Sequence, residues 1–74
     1  MNGKVYVRIT EDRFIRFLSD CYSPVDAEGL YMGLSDSLRE LYEEGLISRW
    51  QMRRALDRFA AEVSDMFPSA FLKS

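Results

Sequence analysis

Histidine is absent from this sequence, and cysteine occurs once, at Cys21. The first absence removes the commonest general base and the commonest zinc ligand, and the second removes any disulfide within the chain. Uninterrupted apolar stretches are short, as at Leu30-Tyr31-Met32, far below the ~20 residues that span a bilayer. Met1-Asn2-Gly3-Lys4 leads into no apolar signal region, so a reducing cytoplasm and no membrane partner are the expectation. An excess of positive charge is missing as well. The net charge is −2 and the pI near 5.0, so the basic field that usually drives nucleic-acid binding is not there.

What is present fits a folded chain. Apolar residues make up 47% and charged residues 30%, and five Phe, four Tyr and one Trp supply large side chains for a core. Seventy-four residues allow a single small domain, 1–74, in which any pocket is shallow or shared with another chain. A core of this size nets only about 3–5 kcal/mol, so with disulfide and metal excluded, support from a second chain is expected. The charge is spread unevenly: residues 1–10 carry +2, residues 11–44 carry −6 and residues 45–74 carry +2.

Val5, Val7 and Ile9 alternate with Lys4, Tyr6 and Arg8, which predicts a strand over 4–9. A lone strand leaves a row of backbone groups unpaired, so Val5, Tyr6, Val7 and Arg8 are expected to pair across a homodimer, with a partner's sheet edge, or with the tail near Phe71-Leu72. Thr10 reads as an N-cap with Glu11 and Asp12 in the first turn. Phe14, Phe17, Leu18 and Cys21 follow at helical spacing, flanked by Ile15 and Tyr22, and predict a helix over 11–22. Ser23, Pro24 and Asp26 form a strong helix start, and Ala27, Leu30, Tyr31, Leu34, Leu38, Leu41 and Tyr42 carry one apolar face over 24–44, closed by Gly45. Gly29, Gly33 and Ser37 make a small-residue strip beside that face, or else the helix breaks near 33–35 with Ser35 as a new cap. Ser48 and Gln51 match a capping box, and Met52, Ala55, Leu56, Phe59, Ala60, Val63, Met66 and Phe67 define a helix over 49–67, with Pro68 opening a tail over 68–74. The fold class is mostly α: a short N-terminal strand and three helices, or α+β if the strand pairs across a dimer.

Catalytic chemistry finds little to stand on. Glu28, Asp36, Glu40, Glu43 and Glu44 fall on the polar side of an amphipathic helix, where solvated charge is the ordinary role. Cys21 sits on an apolar stripe with no base beside it, and no glycine loop, nucleophile elbow or metal-ligand spacing occurs. Neither an enzyme, a cofactor, a metal nor a small-molecule substrate is expected. Trp50 is more informative, because projection at 100° per residue places it off the Met52–Leu56–Phe59–Val63 face and among Arg49, Arg53, Arg54 and Asp57, so that Trp50 with Arg49, Arg53, Arg54 and Arg58 is the candidate partner-binding site. That is the composition of an interface hot spot. The alternatives are a Trp50 folded back over the Gly45-Leu46-Ile47 turn to cover the end of the core, and arginines that form a solvated face.

Lys4-Val5-Tyr6-Val7-Arg8-Ile9 ahead of a capped helix resembles the start of a ribbon-helix-helix repressor. Gly45-Leu46-Ile47-Ser48-Arg49 before Met52-Arg53-Arg54-Ala55-Leu56 is similar to the turn and second helix of that family. The resemblance implies a DNA-binding dimer in which Lys4, Tyr6 and Arg8 face bases and the amides near Ser48 and Arg49 hold a phosphate. An acidic helix over 24–44 intervenes where the family has one short helix, so at most about half of the chain is covered. A helix-turn-helix over Leu38–Phe59 fits less well, since Glu44 occupies a position that motif buries. The leading expectation is a small non-enzymatic module that binds another protein and inhibits or regulates it. In size and charge balance it is similar to inhibitors encoded by phages and other mobile elements, anti-CRISPR proteins among them. The ribbon-type regulator is the alternative.

Overall fold

The computed structural model describes residues 3–72; Met1, Asn2 and the last two residues of the expected tail, Lys73 and Ser74, lie outside the described residues. Among the described residues there are three helices, α1 (Gly3–Leu18), α2 (Pro24–Glu43) and α3 (Arg49–Met66), each packed against the other two. The protein is mostly α-helical, and no strand occurs among the described residues. The N-terminal strand expected over 4–9 is instead the first half of α1.

The reason lies in backbone hydrogen bonding. Six alternating residues are too short a window to separate period two from period 3.6, and a strand needs a second strand to bond with. A helix satisfies its own donors, and the β-branched residues that disfavour it cost only a few tenths of a kcal/mol each. Val7, Thr10, Phe14 and Leu18, spaced by three, four and four, supply the inward stripe, with Thr10, Phe14 and Leu18 buried. Thr10 is therefore no N-cap: its hydroxyl donates to the Tyr6 carbonyl at 2.9 Å, a bond made inside a continuous helix. The alternating residues are parted, with Val5 and Ile9 about half exposed on the outer side.

The far end of α1 falls short of the expected residue 22. Asp20 and Cys21 donate to the Phe17 and Leu18 carbonyls in a tightened last turn, and Pro24 holds Ser23 in an extended conformation. Tyr22 is consequently exposed rather than part of the stripe, and Phe17 and Ile15 are only half covered. Ser23 caps α2 as expected, accepting from the Asp26 amide at 3.2 Å. α2 runs unbroken through Gly33; Ser35 is buried in its middle and donates to the Tyr31 carbonyl at 2.6 Å instead of capping a new helix. A Cβ added at Gly29 or Gly33 would meet nothing within 4 Å, so the small-residue strip is open.

Gly45 ends α2 at φ +78°, where a Cβ is penalised. The Leu46 amide donates to the Leu41 carbonyl at 2.9 Å and the Gly45 amide to Tyr42 at 3.0 Å, the paired bonds of a Schellman motif. Gly45→Ala is expected to lose about 1 kcal/mol, lowering the melting midpoint by roughly 4–8 °C, and Gly45→Asn to lose less. Thermal melts followed by circular dichroism check this, and equal midpoints for wild type and the alanine variant would contradict the motif.

After the turn, Ser48 and Gln51 form the expected capping box, with bonds of 3.0 and 2.8 Å. α3 stops at Met66, one residue early, with Phe67 as its C-cap. The core gathers Phe14, Leu18, Ala27, Leu34, Leu38, Ile47, Ala55, Phe59 and Val63, and at its centre the Phe14 and Phe59 rings stack at 4.2 Å and 8°. The tail returns over α2: Ala70 is buried, the Phe71 amide donates to Glu28 Oε1 at 3.2 Å, and the Phe71 ring meets Tyr31 edge-on at 5.2 Å.

Candidate functional site

The surface that stands out is the outer side of α3. Its inward stripe is Ala55, Phe59 and Val63, and at 100° per residue Trp50 falls nearly opposite that stripe. The capping box makes Arg49 the first helical residue, which fixes the direction in which Trp50 leaves the backbone. Trp50 is 66% exposed and does not fold back over the preceding turn; Ile47, 5% exposed, covers that end of the core. The Arg54 guanidinium lies 5.1 Å from the centre of the Trp50 ring, a cation–π distance. Arg49, Arg53, Arg54 and Asp57 surround the indole in one shallow concavity.

The four arginines divide into two pairs one turn apart. Arg49 and Arg53 lie on one flank of Trp50, whereas Arg54 and Arg58 turn toward α1. There they meet Lys4 and Val7, from the segment whose pattern predicts a strand, together with Glu11. Lys4, Val7 and Glu11 of α1 and Trp50, Arg54 and Arg58 of α3 line a groove of about 370 Å³, with Ala55 below them. Arg58 Nη1 bonds Glu11 Oε2 at 3.1 Å and ties the two helices together; its side chain is 55% exposed, so the pair adds little stability and chiefly sets the spacing of the groove walls. Among the described residues Arg49, Arg53 and Arg54 have no carboxylate within ion-pair distance.

The residues proposed for strand pairing, Val5, Tyr6, Val7 and Arg8, have no strand to form from. They are distributed around α1, Val7 in the groove and Val5 on the outer side. The base-facing trio is broken up too: Lys4 and Arg8 are one turn apart on one side, and Tyr6 packs against the core on the other. The α2 carboxylates Asp36, Glu40 and Glu43 and the C-cap Glu44 are exposed, whereas Glu28 is half-buried and accepts from the Phe71 amide rather than facing solvent alone. Cys21 is half-buried, its thiol 3.4 Å from the Phe17 carbonyl, and partial burial together with the Asp26 and Asp20 carboxylates pushes its pKa up, so it stays a thiol.

No helix among the described residues is long and apolar enough to cross a membrane, and none of their His, Cys, Asp or Glu side chains cluster in threes that could hold a metal ion. In comparison with known proteins, the chain matches no family model, no curated protein and no solved structure.

Proposed function

We propose that this chain is a non-enzymatic protein-binding module that inhibits or regulates a partner by occupying its surface, with Trp50, Arg49, Arg53, Arg54 and Arg58 as the binding residues. The observation that carries the reading is the 66% exposure of Trp50 on the side of α3 away from the core, with Arg54 over its ring. A large rigid side chain left mostly in water contributes little to the fold, and Trp and Arg are the residues most enriched where binding energy concentrates. An enzyme is disfavoured by the protonated Cys21, the solvated α2 carboxylates and the absence of histidine. The ribbon-type alternative draws no support from a helical N-terminus.

Trp50→Ala tests the reading by separating binding from folding. The variant is expected to melt within a few degrees of wild type, because little of Trp50 is buried. Its binding of the partner should weaken by 2 kcal/mol or more, roughly 30-fold. Affinity capture from lysate with wild type and variant side by side, repeated after nuclease treatment, gives the answer. A partner retained equally by Trp50→Ala, or lost on nuclease treatment, would count against the proposal.

A further inference from the structure

The groove between α1 and α3 has a chemistry of its own, more specific than an exposed tryptophan. Its floor is apolar, built from half-buried Val7 and buried Ala55, and its volume of about 370 Å³ admits an apolar side chain. Its α3 wall is cationic through Arg54 and Arg58, and Trp50 forms the lip beside Arg53. Arg53 and Arg54 have no carboxylate within ion-pair distance among the described residues. Arg58 is already satisfied by Glu11, so the unspent positive charge lies at the Trp50 end, where Arg49, Arg53 and Arg54 outnumber the single carboxylate of Asp57.

We infer that the occupant of this groove is a short acidic segment of a partner protein. It presents carboxylates to Arg53 and Arg54 and sets one apolar side chain on Val7 and Ala55 beside the indole. This rests on the protein-binding reading above and narrows it to one class of partner. Charge complementarity selects the class, and the small extent of the patch sets its length. From Arg49 to Arg58 is nine helical steps, about 14 Å of helix, so the cationic surface matches a few residues of extended chain.

The same dimensions disfavour nucleic acid. A duplex carries one negative charge per ~1.7 Å over a much longer surface, and beyond the patch it would run onto an acidic protein, whose residues 11–44 carry −6. A segment of a few residues stays within the patch.

Trp50 is the only tryptophan in the chain, so its fluorescence reports on this site and nowhere else. The experiment titrates the full chain at low salt with three probes: a capped peptide with one leucine between pairs of glutamates, the same peptide with serine for leucine, and a single-stranded DNA oligonucleotide. The leucine peptide is expected to shift the Trp50 emission and saturate, to bind several-fold tighter than the serine peptide, and to weaken about tenfold when salt is raised from about 0.05 to 0.5 M. The double variant Arg53→Ala/Arg54→Ala should lose at least tenfold in affinity with its circular dichroism unchanged. Should it fail to fold, Arg53→Ala alone is read instead.

Three results overturn the inference: no spectral response up to millimolar leucine peptide, equal affinity for the leucine and serine peptides, or DNA bound more tightly than either. If the peptides fail while Trp50→Ala still abolishes partner capture, the face binds protein by other chemistry and only the acidic-segment assignment falls. If Trp50→Ala captures the partner normally, the protein-binding site itself is misplaced.

Discussion

Phe59→Ala is expected to abolish cooperative unfolding at 25 °C. Phe59 is 1% exposed and Phe14 fully buried, and their rings lie face to face at 4.2 Å where the three helices converge. Truncating one ring leaves the face of the other against a void that the small neighbour Ala55 cannot fill. Substitutions of this kind cost about 3–5 kcal/mol. A core of this size supplies about the same amount in total, so the variant has no margin left. Phe59→Leu retains most of the volume and should unfold cooperatively at a lower midpoint. Denaturant titration of both variants checks the expectation, and a cooperative Phe59→Ala transition within 1 kcal/mol of wild type would show that the Phe14–Phe59 stack is not the centre of the fold.

The residues that announce helix ends were legible because capping is local chemistry. Ser23-Pro24 and Ser48 through Gln51 specify bonds within four residues, and each forms as the spacing predicts. Gly45 is legible for a related reason, since a left-handed residue after a long amphipathic run has few other uses. The interior stripes of α2 and α3 were legible because each holds its period over five turns. The N-terminal segment was not. Over Lys4–Ile9 the pattern is compatible with strand or helix, and what decides between them is the absence of a pairing strand among the other described residues, which is a tertiary fact.

The same ambiguity hides half of the candidate site from the sequence. Trp50 and its arginines could be placed on the outer side of α3 from spacing alone, because the helix that presents them was secure. The groove beside them could not, because Val7 and Glu11 reach it only if α1 begins at Gly3 rather than after Thr10. Ile47 lies in the short turn between α2 and α3, yet it seals the core end that the sequence equally allows Trp50 to cover. Burial of a turn residue depends on how the hairpin closes, and no local pattern carries that information.

Glu11→Pro distinguishes a continuous α1 from a helix that starts at Thr10, and it does so with a large effect. Were Thr10 an N-cap, position 11 would be the first helical residue, where proline's missing amide and fixed φ are well tolerated. In the structure Glu11 lies in the interior of α1, where its amide is needed by the Val7 carbonyl and a pyrrolidine ring would collide with it. The residue before proline is also pushed out of the helical region, which would dislodge buried Thr10 and its bond to Tyr6. The expected loss is about 3 kcal/mol or more, most of what the domain has. Glu11→Ala is the necessary control, since Glu11 also bonds Arg58 at 3.1 Å; an exposed pair of that kind contributes roughly 0.2–1 kcal/mol. Equilibrium denaturation should therefore place the alanine variant close to wild type and the proline variant near or beyond the limit of folding. If the two variants unfold at the same denaturant concentration, the chain is not helical through residue 11, and the groove that depends on Val7 and Glu11 does not exist in solution.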